Sequence, residues 1–320
     1  MSFDLLLENL SNPALLFFFL GLIAVRLKSD LEIPANSSRF ISIYLLLSIG
    51  FKGGQELVHS EMDLSILWPI LFGIVVAVLI PFYTFFILKK KLGVYNAGAI
   101  AAAYGSVSAV TFVTTVSFLE LQGIYFGGYM VAVMAVMEAP AIMVGVLLVG
   151  IYGEKSKQAI PLGQTVKHSL TNGSVLLIVG SLIIGFLASE SQAEGIKPFT
   201  TDIFKGFLAV FLLDMGITSG RQISGFLNKG YFPLLFAIAI PLINGTIAAS
   251  IAHIVSPHEG DQLLLSLLTA SASYIAVPAA MKMAVPEANP GLYLPMSLAV
   301  TFPFNITIGI PLFMYIIQAF

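Results

Sequence analysis

Two serine pairs, Ser106 with Ser108 and Ser271 with Ser273, lie inside apolar runs of this 320-residue chain at an offset of 165. Their neighbours are small: Ala101-Ala102-Ala103-Tyr104-Gly105 leads into the first pair, and Thr269-Ala270 leads into the second, which runs on to Tyr274 and Pro278. Small residues and a proline favour a helix break. In hydrocarbon, a break frees backbone N–H and C=O groups that only a cavity or a ligand can satisfy. Half-helix N-termini at such a break present partial positive charge to an anion, while hydroxyls and loosened carbonyls are hard oxygen donors for a small alkali cation. Gly105, Ser106, Ser108, Ser271 and Ser273, with Tyr274 beside them, are the expected anion-binding residues. The plain alternative is that small-x-small serines merely let helices pack closely.

Two carboxylates, Glu138 and Asp214, also fall within apolar runs. An ionisable group at that depth costs roughly 3 kcal/mol or more unless it faces a cavity, a cation or a partner. Glu138 stands in Met137-Glu138-Ala139-Pro140, and an offset of 167 brings it onto Asn305. A symmetric cation site is therefore expected from Ser108, Thr111, Glu138, Ser273 and Asn305, against the alternative of a protonated Glu138 bonded quietly to a carbonyl. Asp214 is expected to pair with Lys205 or Arg221 rather than to line a pathway. His59, His168, His253 and His258 fall near span ends or in loops, where no metal or proton chemistry is expected of them.

The elements that must position these residues follow from composition. With 58% hydrophobic and 10% charged residues, the chain carries more apolar surface than a soluble core of this length needs, so the bilayer is its solvent. Ten stretches reach the roughly 20 residues a spanning helix requires: 13 to 29, 36 to 57, 65 to 88, 95 to 119, 124 to 152, 172 to 189, 203 to 220, 231 to 255, 262 to 283 and 291 to 318. Leu46-Leu47-Ser48-Ile49-Gly50 reappears as Leu212-Leu213-Asp214-Met215-Gly216, and Trp68-Pro69-Ile70-Leu71-Phe72 as Phe232-Pro233-Leu234-Leu235-Phe236. The serine pairs and Gly123-Ile124-Tyr125 against Gly291-Leu292-Tyr293 keep nearly the same offset, 164 to 168 throughout. Repeats with an odd number of spans must be inverted. The expected fold is an all-α integral membrane protein of two inverted five-helix repeats, 1 to 152 and 172 to 320, joined by a cytoplasmic linker at 153 to 171, with the fourth and ninth helices discontinuous.

Threading the spans alternately places twelve of the 15 basic residues on one side, leaving only Lys52, Lys197 and Lys205 on the other. The basic side is cytoplasmic, and both termini are expected outside. The first apolar run follows Asp4 and Glu8 rather than a basic region, so it reads as a retained span. Zero cysteines exclude disulfides and thiol chemistry, and the absence of a G-x-x-x-x-G-K-[ST] loop excludes direct use of ATP by this chain. No basic patch with interleaved aromatics suggests nucleic acid, and no H-E-x-x-H suggests hydrolysis, so neither an enzyme nor a resident cofactor is expected.

With its serine clusters and duplicated spans, the chain resembles the sodium-dependent bicarbonate permeases of the SbtA type over nearly its whole length. The residues that carry the likeness are Ile49-Gly50 with Gly53-Gly54, Gly105-Ser106-Val107-Ser108, Pro140-Ala141 after an acidic residue, Ala270-Ser271-Ala272-Ser273, Pro286-Glu287-Ala288-Asn289-Pro290 before Tyr293, and Gly309-Ile310-Pro311-Leu312-Phe313. The resemblance implies a core domain with crossed broken helices moving against a gate domain, a homotrimer, and sodium-coupled anion uptake across the bacterial inner membrane. Two departures stand out. Tyr274 replaces the aspartate that follows the serines in the family pattern, and the polar loop between the halves is trimmed to 153 to 171, which weakens the expectation of a P-II-type regulator. The function expected is sodium-coupled uptake of a small anion, bicarbonate first. A cation/proton antiporter with Glu138 as the titrating group, an organic-anion carrier, and a membrane sensor or scaffold are the alternatives.

Overall fold

The computed structural model describes residues 11–59, 66–153, 173–227 and 229–320, and within them the chain forms helices and no strand. The expected linker, with Lys155, Lys157, Lys167 and His168, lies outside the described residues apart from Gly153, as do Asp4, Glu8, Glu61 and Asp63. In chain order the helices are α1 (Pro13–Arg26), α2 (Ala35–His59), α3 (Leu67–Leu92), α4 (Val94–Gly105), α5 (Ala109–Gln122), α6 (Met130–Tyr152), α7 (Gly173–Leu187) and α8 (Glu190–Lys197). They continue as α9 (Phe204–Leu227), α10 (Tyr231–Ile251), α11 (Glu259–Ala270), α12 (Ala276–Ala284) and α13 (Pro290–Ile317). Each of the ten apolar intervals expected from the sequence overlaps one or more of these helices. Six segments are both long and apolar enough to cross a membrane: α3, α4 with α5, α6, α8 with α9, α10 and α13. α1 and Val175–Leu187 are shorter apolar helices.

Helix α8 was not expected. Its N-terminus is closed by Ser189, which accepts from the Gln192 N–H while the Gln192 side chain reaches back to the Ser189 N–H. That reciprocal cap, with the Lys197–Glu194 ion pair, stabilises a helix whose polar sequence gives no spanning signal.

Packing divides the helices into two groups. α1 lies along α9, and α2 lies along α7, in the closest pairings of the first group. Both pairings depend on backbone approach at glycine: a β-carbon on Gly216 would collide with the carbonyl oxygen of Phe18, and one on Gly185 with that of Phe51. The second group holds the broken helices. α3 packs on α4 and α6, and α10 packs on α11 and α13. Within it α4 with α5 is the innermost span, 94% of its apolar stretch being buried against 33% for α3.

The loops at the two ends of this group are tied by equivalent bonds. The Asn289 N–H donates to Asn96 Oδ1 at 2.8 Å, and the Gly127 N–H donates to Asp261 Oδ1 at 2.7 Å, where 96 and 261 stand at the repeat offset. Asp261 is wholly buried yet satisfied, since Ser256 Oγ donates at 2.8 Å and the Tyr129 hydroxyl donates as well.

Candidate functional site

Helix α4 stops at Gly105, where Ser106 turns extended (φ −86°, ψ −177°), and α5 restarts at Ala109. Ser108 makes the restart possible, its hydroxyl accepting from the Thr111 N–H at 3.2 Å. Helix α11 ends in the same way at Ser271 (φ −82°, ψ 169°). Ser273 Oγ then accepts from the Val277 N–H at 3.3 Å, and Pro278 occupies the first turn of α12, where a missing N–H costs nothing.

The two breaks cross and bond to each other. The Ser108 N–H donates to Ser271 Oγ at 3.0 Å, and the Ser273 N–H donates to the Ala103 carbonyl at 2.8 Å. Each break thus satisfies part of the other's freed backbone.

A cavity of about 40 Å³ sits against this crossing. It is lined by Val107, Ser108 and Ala109 from the first break, by Ser273, Tyr274, Ile275 and Ala276 from the second, by Glu138 of α6, and by Ser42 of α2. Ala109 and Ala276 are the first residues of α5 and α12, so two helix N-termini bound the cavity, and no Lys or Arg lines it. A space this size admits about three water-sized groups.

Of the expected residues, Ser108, Glu138, Ser273 and Tyr274 line the cavity. Ser106, Thr111, Ser271 and Asn305 are buried just outside it, on the segments that make the crossing or touch it. Gly105 ends α4. The Asn305 amide donates to the Ala270 carbonyl at 2.9 Å, tying α13 to the end of α11. Four oxygens on these segments, Ser106 Oγ, Thr111 Oγ1, Asn305 Oδ1 and the Tyr274 hydroxyl, are buried without a hydrogen bond of good geometry. Buried orphan oxygens are costly unless something else coordinates them, and a hard cation fits that donor set. Among the described residues no group of three or more His, Cys, Asp or Glu side chains gathers to hold a metal, and Glu138 is the one charged side chain in the cavity wall.

Beyond the cavity opens a vestibule of about 1,100 Å³, which shares Ser42, Leu46, Phe211, Tyr274 and Ile275 with it. Its walls carry Ser38, Arg39, Asp214 and Arg221. Asp214 forms no close ion pair with Lys205 or Arg221 among the described residues, although the Arg221 charge acts on it. Ser38 of α2 donates to its carboxylate, and Arg221 lies 3.8 Å from Glu32 instead. At the other end of α2 a smaller cavity of about 150 Å³ is crossed by an ion pair between Lys52 and Glu120, which joins α2 to α5. Sequence reasoning missed Ser42 and this ion pair. Lys52 was one of three basic residues out of place on the acidic side, the one signal that pointed to it.

Apolar spanning helices around a buried cavity at a helix break define a multi-pass membrane protein of the transporter class. The chain belongs to the Na+-dependent bicarbonate transporter superfamily, whose model matches residues 13–318. No curated protein matches it.

Proposed function

We propose that this protein carries a small monovalent anion, bicarbonate, into the cell together with sodium by alternating access. The observation that carries the reading is the convergence of the α5 and α12 N-termini on one cavity without a basic side chain. Each N-terminus contributes about half a positive charge, so the pair compensates roughly one negative charge. Sodium, held by Ser106, Thr111, Asn305 and the neighbouring Ser108, Ser273 and Glu138 oxygens, offsets the Glu138 carboxylate in the same wall. Each ion lowers the cost of burying the other, and that mutual dependence is the coupling.

In this reading the two halves are inverted repeats, 1 to 152 and 172 to 320. The exchanged pairings of α1 with α9 and α2 with α7 support it, as do the paired bonds of Asn96 and Asp261. Arg39 and Arg221 at the vestibule mark the cytoplasmic end, so the conformation described is open inward, with both termini outside. The assembly is a homotrimer in the bacterial inner membrane, as the SbtA likeness implies.

The small cavity disfavours a larger organic anion. Antiport through Glu138 is the second reading, favoured by that carboxylate's place in the cavity wall. Proteoliposomes with an imposed sodium gradient test the first: accumulation of labelled bicarbonate supports it, and accumulation that is indifferent to sodium removes the coupling. Proton release when sodium is added to the solubilised protein, abolished in Glu138→Gln, would favour antiport instead.

A further inference from the structure

Tyr274 is the one polar side chain besides Ser42 that lines both the cavity and the vestibule. The residue is 9% exposed; its hydroxyl is buried and makes no hydrogen bond of good geometry, Ser108 being the side chain close enough for a weak one. Its ring is fixed edge-on to Phe302 of α13, centroids 5.9 Å apart. Its backbone belongs to the second break, between Ser273 and the start of α12. A phenol held only by that weak contact is expensive to bury, and packing alone would be served as well by phenylalanine.

We propose that Tyr274 selects the anion, its hydroxyl donating to one acceptor oxygen of a singly charged oxyanion and its ring forming the partition between that ion and the vestibule. This rests on the functional reading above, in which the anion occupies the cavity. The donor is neutral, so it adds direction without adding charge. The two helix N-termini then match a monoanion, and a dianion leaves about one charge unmatched where no Lys or Arg can reach it. Because the ring is carried by the break itself, passage to the vestibule requires the side chain to swing aside while the crossing stays intact.

The full-length protein in proteoliposomes tests this with two variants. Tyr274→Phe keeps the ring against Phe302 and removes only the hydroxyl. It is expected to raise KM for labelled bicarbonate about tenfold, the worth of one hydrogen bond, while the maximal rate and the sodium activation constant stay near those of the parent. Tyr274→Ala removes the partition. In the cysteine-free background, a reporter Ala135→Cys in the cavity wall is then expected to react several times faster with a charged thiol reagent applied from the vestibule side. A Tyr274→Phe variant with the parent's KM, or a Tyr274→Ala variant with an unchanged labelling rate, overturns the assignment. A parent chain that takes up no bicarbonate overturns the functional reading itself, which separates the two failures.

Discussion

In the proposed site one side chain, Asn305, serves two tasks. Its amide nitrogen holds the Ala270 carbonyl at the end of α11, and its oxygen is left buried and free for a cation. Asn305→Ala removes both and should raise the sodium concentration for half-maximal uptake at least about tenfold, the scale of a lost polar contact in a dry site. Asn305→Asp keeps the oxygen and adds charge, so it should recover much of the sodium response; equal sodium dependence in all three proteins would remove Asn305 from the site. Glu138→Gln should likewise weaken sodium dependence, since it deletes the single charged side chain in the cavity wall. Sodium-dependent uptake measured at fixed bicarbonate decides it. Unaltered coupling would mean that Glu138 is only a satisfied carboxyl in the bundle.

At the scale of elements, the breaks were legible because glycine, serine and proline are poor continuers of a helix, and because the same small-residue cluster recurs at Ala101–Ser108 and Thr269–Pro278. Their mutual bonding was not legible, since the partners of Ser108 and Ser273 stand over 160 residues away. Helix α13 was read as one ordinary span. In the structure two stretches, Met296–Thr301 and Asn305–Gly309, widen to π-helical turns beside Pro295, Pro303 and Pro311. Proline deletes helical hydrogen bonds, and the relaxed turns turn Asn305 toward α11. Composition cannot foretell that turn. The close α1–α9 approach gives a separate prediction. Gly216→Ala places a methyl on the Phe18 carbonyl, a backbone atom that cannot yield cheaply, so a destabilisation of about 1–3 kcal/mol is expected. A fall of several degrees in melting temperature in detergent checks it, whereas an unchanged melting temperature would show that these helices separate freely.

For the molecule as a whole, the two ends are unequal. A wide vestibule opens beside Arg39 and Arg221, while the far end is crossed by Lys52 and Glu120, each side chain 25% exposed. An ion pair this exposed contributes modestly to stability, but it joins the group that contains α2 to the group that contains α5, so it biases which end is open. Replacing the pair by Lys52→Cys and Glu120→Cys should allow a bifunctional thiosulfonate reagent to bridge the two thiols, a cross-link that stops uptake, with activity restored by reductant. Uptake that continues at full rate in the cross-linked protein would show that this end need not part during the cycle. The bonds from Ser108 to Ser271 and from Ser273 to Ala103 carry a different consequence. In the proposed transport cycle, a pocket stitched across both halves travels as a unit and greets either compartment with the same chemistry. Net direction then comes from the concentrations and voltage on the two sides, and a cell that lost its sodium gradient would leak its inorganic carbon back through the same door.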